Sequence, residues 1–227
     1  MTTPPWTRLR RLASIIRRGA SSPRDRLRWA LAHTESHAWD LYFGVDTRRA
    51  AAQGQTDVPA ESIPYEPLPW FLVRHAVGAL ELSPDDVFVD YGAGLGRALL
   101  MAARNRLKRV VGVELLRPLA DSAKQNVRTA QHRLRTPVEV VVTDAAAWDV
   151  PDDVTVAYLF NPFVGTVMQA VQQKIRASLV RRPRPLRVLY AHADDQPDLF
   201  AACDWLRPRR QLGGGVYKGL TLRVYAT

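Results

Sequence analysis

From residue 87 onward the chain alternates short apolar runs with stretches that repeat at helical spacing. The runs Val87-Phe88-Val89, Val110 to Val113, Val138 to Val142, Val154 to Phe160 and Leu186 to Ala191 are mostly apolar and rich in β-branched and aromatic residues. Strands buried on both faces of a parallel sheet have that pattern. Between them, Leu95 to Arg104 places Leu99, Leu100 and Ala103 on one stripe, and Phe163 to Val180 keeps a helical period. Asp195 to Trp205 is predicted as a further helix. Arg209 to Val216 and Leu220 to Tyr225, around Tyr217-Lys218-Gly219, read as a hairpin. The expectation is an α/β fold: a seven-stranded, doubly wound sheet with helices on both faces and a C-terminal antiparallel hairpin.

In such sheets ligands bind in the crevice beyond the carboxyl ends of the strands. The first run ends there in Asp90-Tyr91-Gly92-Ala93-Gly94-Leu95-Gly96-Arg97. Glycines at alternate positions demand a bend too tight for a Cβ, followed by the start of a helix. A dinucleotide fingerprint would need glycine at position 97, where Arg97 stands, and no Gly-Lys-Ser/Thr phosphate cradle is present. The turn resembles motif I of the class I S-adenosylmethionine-dependent methyltransferases.

That resemblance runs on in order over residues 63 to 225 and implies a Rossmann-like fold with S-adenosyl-L-methionine as cofactor. By similarity, Asp90, Gly92, Ala93, Gly94 and Gly96 would line the methionine part. Glu114, 24 positions beyond Asp90 at the tip of the second run, with Leu115, would hold the ribose diol. Two hydrogen bonds to a carboxylate would contribute roughly 1.5–3 kcal/mol each. A cap on the following helix is the alternative for Glu114. Asp144 and Ala145, after the third run, would read the adenine amine, and an N-cap role for Asp144 is compatible with that.

The fourth run ends in Asn161-Pro162-Phe163. This is similar to the Asn-Pro-Pro-Tyr motif of amino-group methyltransferases, with Phe163 in place of the second proline. The resemblance makes Asn161 both a cofactor neighbour and a catalytic residue, accepting a hydrogen bond from the target nitrogen. A strand-end turn is its plain alternative. His192, at the tip of the fifth run, is the candidate general base for a hydroxyl or carboxyl acceptor. A sulfonium methyl is already activated, so alignment does most of the work and can supply roughly 7–11 kcal/mol.

Charge changes the picture at the N-terminus. The net charge is +10, and residues 1–30 hold eight arginines against Asp25 alone, a local +7. Leu9, Leu12, Ile15 and Ile16 make Thr7 to Arg18 a basic amphipathic helix, and Ser22-Pro23 opens a second one running to about Asp40. Such helices bind anionic membranes or nucleic acid, or cover a core. Because Arg outnumbers Lys 28 to 4 throughout, composition weakens the nucleic-acid reading of this arm. The Arg181-Arg182-Pro183-Arg184-Pro185 cluster is expected to be a solvated loop. The single cysteine, Cys203, excludes an internal disulfide and fits a reducing, cytoplasmic setting; no spacing suggests a metal site.

Residues 1–62 are therefore read as basic helices and a lid or substrate cap, and 63–227 as the cofactor-binding domain. The cap includes Gly44-Val45-Asp46-Thr47, where a turn role is expected for Thr47 and Asp46 is open. Ile63-Pro64-Tyr65-Glu66-Pro67 is similar to a Tyr-x-Pro element of the non-SET lysine methyltransferases, which would put Tyr65 near the cofactor. A lid excludes water from a transfer site. An enclosed small-molecule acceptor is expected first and a protein lysine or amine second, with nucleic acid set below both. A nucleoside-binding partner subunit without chemistry is the remaining reading, and peripheral membrane contact by the basic helix stays open.

Overall fold

Valine, isoleucine and aromatic residues that cannot reach solvent on either side of a sheet need cover on both faces. The computed structural model, which describes residues 34–47, 61–62, 68–212 and 219–227, supplies it. Seven strands stand in the order β3-β2-β1-β4-β5-β7-β6. They are β1 (Val87–Tyr91), β2 (Arg109–Glu114), β3 (Val138–Val142), β4 (Val156–Phe160), β5 (Arg187–Ala193), β6 (Arg207–Leu212) and β7 (Leu220–Ala226). The first five are parallel, and β7 runs antiparallel between β5 and β6. β1 is buried at every residue, as an unalternating apolar run requires.

One face is covered by α1 (residues 34–43), α2 (Trp70–Gly78), α3 (Arg97–Ala103) and α4 (Arg117–Ala130). Phe43, Trp70, Leu99 and Ala123 pack there on Phe88, Val110 and Tyr158. The other face is covered by α5 (Gly165–Arg181), whose Met168, Val171 and Ile175 meet Val89, Val111 and Leu159. Every residue of α3 is buried, so the helix that follows the glycine turn is wedged into the core rather than laid upon it.

The expected helix over Asp195 to Trp205 is absent; the segment is a series of turns. Pro197 removes a donor, and Asp198 Oδ1 accepts the Phe200 N–H at 3.1 Å, which favours a turn over a helix. The other Asp198 oxygen accepts Tyr225 Oη at 2.5 Å and Arg223 Nη1 at 2.7 Å, while Phe200 is buried beneath. Non-local bonds to β7 hold this connection. β6 begins at Arg207, two residues before the expected Arg209, with a register shift between Pro208 and Arg210. Helix α1 continues to residue 43, past Asp40. The basic helix Thr7 to Arg18, the start of the second helix and the turn at Tyr217-Lys218 lie outside the described residues. Among the described residues no helix is long and apolar enough to cross a membrane.

Candidate functional site

The carboxyl ends of β3, β2, β1, β4 and β5 are tied into one line by their own backbones. Thr143 N–H donates to Glu114 O at 3.0 Å, and the Gly92 and Ala93 N–H groups both donate to Val113 O, at 2.9 and 3.1 Å. Asn161 N–H donates to Ala191 O at 2.9 Å. Between β1 and β4 the link is steric. Gly92 has φ +78°, and a Cβ there would stand 2.7 Å from Pro162 Cβ. The glycine turn and the Asn-Pro-Phe turn thus touch at a point where only glycine fits.

Glu114 is the centre of this line. Its Oε2 accepts the Gly94 N–H at 2.8 Å and its Oε1 the Leu116 N–H at 2.9 Å, so one carboxylate clamps the glycine turn and the entry to α4. Burial pushes its pKa up, opposed by those backbone hydrogen bonds. Asp90 is also buried, and its pKa is pushed up to about 8, first by desolvation and then by the Glu114 carboxylate. Two adjoining buried acids without a cationic partner among the described residues form an environment that a cation would relieve.

Asn161 is the most exposing detail of the site. It has φ +45°, a left-handed backbone that non-glycine residues adopt uncommonly. It is only 4% exposed, and neither Oδ1 nor Nδ2 has a hydrogen-bond partner among the described residues. A buried, unpaired amide costs about 1–3 kcal/mol, which a bound ligand would recover. The Tyr158 hydroxyl, also buried and unpaired, lies three residues earlier on β4, and Tyr158 is the register partner of Asp90.

His192 stacks on Tyr190, with ring centroids 5.3 Å apart. Its Nδ1 is 2.9 Å from Ala193 O, so the proton sits on Nδ1, and Nε2 is 3.8 Å from Asp198 Oδ2. Asp144 is exposed, and its Oδ1 accepts the Ala146 N–H at 2.8 Å, the turn-capping role that was its plainer reading. Ala145 is buried and Leu115 half exposed. Tyr65 lies outside the described residues. Just before it, Glu61 caps α5: Oε2 accepts Thr166 Oγ1 at 2.6 Å and the Val167 N–H at 3.1 Å, and Ser62 bridges to Phe163. The chain leading into the Tyr-x-Pro element is therefore pinned beside Asn161-Pro162-Phe163.

Arg97 was read from sequence only as a missing glycine, and the structure gives it a role. Buried at 6% exposure, it donates through Nε to Thr47 Oγ1 at 2.6 Å and through Nη1 to Leu68 O, and its Nη2 is 3.8 Å from Asp40 Oδ2. Thr47 Oγ1 and Trp70 Nε1 both donate to Asp40 Oδ1, at 2.6 and 2.9 Å. The Gly-Val-Asp-Thr string thus ends in a buried threonine that fastens the N-terminal segment to the first residue of α3. An arginine directly after a glycine turn, 50 residues from its partner, was the available signal.

A family model described as "Histone methylation protein DOT1" matches residues 64–136. A solved RNA methyltransferase from Salinibacter ruber, in complex with S-adenosyl-L-homocysteine, is 25% identical, with a TM-score of 0.53 over 71% of this chain and 93% of that one. The fold is similar to that of the class I S-adenosylmethionine-dependent methyltransferases. Among curated relatives of this methyltransferase fold, a probable ribosomal RNA small subunit methyltransferase A of Methanosarcina mazei is 31% identical over 113 residues, 50% of this chain and 37% of that protein. A protein-lysine N-methyltransferase of Saccharolobus islandicus is 39% identical over 54 residues, 23% of this chain and 34% of that one. The chain spans about a third of the length of these curated relatives.

Proposed function

We propose that the protein is an S-adenosylmethionine-dependent methyltransferase whose acceptor is an amino nitrogen positioned by Asn161. The buried, unpaired Asn161 amide carries this reading. It is set in a left-handed turn, against the glycine turn, at the strand tip where a ligand would complete its hydrogen bonds.

The residues present fit the cofactor. Asp90 and Glu114, buried together and short of positive charge, suit a ligand bearing an ammonium and a sulfonium. Gly92, Ala93, Gly94 and Gly96 leave backbone room for its methionine part. The remaining lone pairs of Glu114 face a ribose diol, beside Leu115. Asp144 and Ala145 flank the adenine, and Tyr65 is assigned near the cofactor by the resemblance of its Tyr-x-Pro element. When bound, the cofactor supplies an electrophilic methyl. Asn161 Oδ1 accepts a hydrogen bond from the acceptor N–H and turns the nitrogen lone pair toward the sulfur–carbon axis. Residues 34–47, locked to Arg97, shield the site from water.

His192, with Asp198 beside Nε2, supports a second reading in which an oxygen acceptor is deprotonated. The Asn161 chemistry does not depend on whether the amine sits on a small molecule, a protein lysine or a nucleobase. The test pairs two measurements: calorimetric binding of S-adenosylhomocysteine, and transfer of labelled methyl to fractionated cell extract. Asn161→Ala should keep cofactor binding and lose about 10²-fold in transfer. Equal transfer by the variant would refute the assignment, and no cofactor binding by the wild type would refute the activity.

A further inference from the structure

The positive charge of this chain sits at its two ends. Residues 31–204 hold 19 basic and 21 acidic side chains, a net −2, whereas residues 205–227 hold Arg207, Arg209, Arg210, Lys218 and Arg223 and no acid, a net +5. A general preference for Arg over Lys explains the identity of these cations. It does not explain the loss of the acids that accompany them elsewhere.

Three of them surround one hollow. Arg209, Arg210 and Arg223, with Gln211, line a depression of about 340 Å³ whose floor includes Leu206 and Tyr225. Arg223 is committed at one end, to Asp198 at 2.7 Å and Gln211 at 3.2 Å. Arg210 Nη2 reaches Glu81 at 3.3 Å, but both side chains are at least half exposed, and such pairs are worth little. Arg209 has no ion-pair partner among the described residues. Charges on an edge strand also block edge-to-edge pairing, yet Pro208 and the register shift beside it already do that.

We propose that this hollow on the β6–β7 hairpin binds the phosphodiester backbone of a nucleic acid. The inference rests on the methyltransfer reading to the extent that it names the acceptor's carrier. Guanidinium forks match phosphate oxygens in pairs, and concave placement holds a strand better than a flat surface does. A bilayer surface is disfavoured because the exposed large apolar residues, Leu41, Tyr42, Leu115 and Val180, all lie off the hairpin. The register of β6, β7 and β5 sets the hollow level with Val188 to Tyr190 in the middle of β5. Asp198, which anchors Arg223 and Tyr225 in its wall, is the carboxylate facing His192. A strand seated there lies a few residues of β5 from the strand tips where transfer is proposed.

The test uses the full chain and a short labelled single-stranded RNA of mixed sequence, titrated by fluorescence anisotropy over a range of salt. Log affinity should fall linearly with log salt, and Arg209→Ala/Arg210→Ala should reduce that slope by about 1.4, two phosphate contacts at ~0.7 each. Arg209→Glu/Arg210→Glu should abolish binding. S-adenosylhomocysteine affinity should be unchanged in both, which certifies the fold. An unchanged slope in the alanine variant, or no salt-dependent RNA binding by the wild type, overturns the proposal, as does capture by phosphatidylserine vesicles but not by RNA. Loss of the RNA slope in a protein that never bound S-adenosylhomocysteine would leave the hairpin standing and remove the methyltransfer reading instead.

Discussion

Arg97→Met should unfasten the N-terminal segment from the glycine turn, and the structure sets the size of the effect. Asp40 is 3% exposed and, among the described residues, Arg97 Nη2 lies 3.8 Å from its Oδ2, while Thr47 and Trp70 donate to its other oxygen. Methionine keeps the volume and removes the charge that faces this buried carboxylate, at a cost of about 3–5 kcal/mol. It also removes a donor from Thr47 Oγ1 and from Leu68 O. For a chain of this length each kcal/mol lowers the melting temperature by roughly 2–4 °C, so a fall of about 6–20 °C is expected. Urea unfolding followed by circular dichroism measures the free energy, and scanning fluorimetry the temperature. Asp40→Asn in the same background should restore much of the loss, because the buried charge is gone. A loss under about 1 kcal/mol for Arg97→Met, or a double variant equal to the sum of the singles, would refute the view that this pair is coupled. Since Arg97 is the first residue of α3, the single variant should also weaken S-adenosylhomocysteine binding.

Three further outcomes follow from the site. Gly92→Ala forces a side chain into φ +78° and against Pro162, and should cost about 2–4 kcal/mol in urea unfolding together with cofactor affinity. Glu114→Ala removes the proposed ribose bonds and should raise the dissociation constant for S-adenosylhomocysteine by about 10²–10⁴-fold in calorimetry; a change under tenfold would mean that Glu114 only clamps the turn. Asp90, raised from 3.8 to about 8 in the folded chain, binds its proton more tightly folded than unfolded. Its contribution is therefore fully present below about pH 4 and is lost as pH rises through about 8. Asp90→Asn should flatten that part of the stability profile of the cofactor-free protein, and a profile unchanged by the substitution would show that the proton is not there.

The strands and the positions of the candidate residues at their tips were legible because both are local. Val87 to Tyr91 needed only its own side chains to read as a strand buried on both faces, and Asp90, Glu114 and Asn161 fall where such strands end. The misreadings are all non-local. Leu199, Phe200 and Cys203 between Asp195 and Trp205 look helical until Tyr225 and Arg223, more than 20 residues on, draw Asp198 into a turn. Thr47 reads as a turn former until Arg97 arrives from 50 residues away, and Glu61 reads as linker until it caps a helix 105 residues later. Side chains that serve distant partners carry no periodicity of their own.

The two ends of the parallel sheet differ in a way that argues for where the work is done. At the amino ends, Asp86 accepts hydrogen bonds from the Ser83 N–H, Ser83 Oγ, Thr155 Oγ1 and Arg187, and these donors hold its pKa below the usual range in spite of burial. That end is saturated, as a structural end should be. At the carboxyl ends, Tyr91, Tyr158, Asn161 and His192 each keep a buried polar atom without a hydrogen-bond partner among the described residues. Tyr91, Tyr158 and His192 lie on β1, β4 and β5, at or within two residues of the strand's last position, and Asn161 directly follows β4. A fold that satisfies its buried polar groups at one end can do so at the other, and four lapses on one side are too many to be packing error. They are unspent hydrogen-bonding capacity, held rigid by the sheet behind them, and a ligand lying along the strand tips is what would use it.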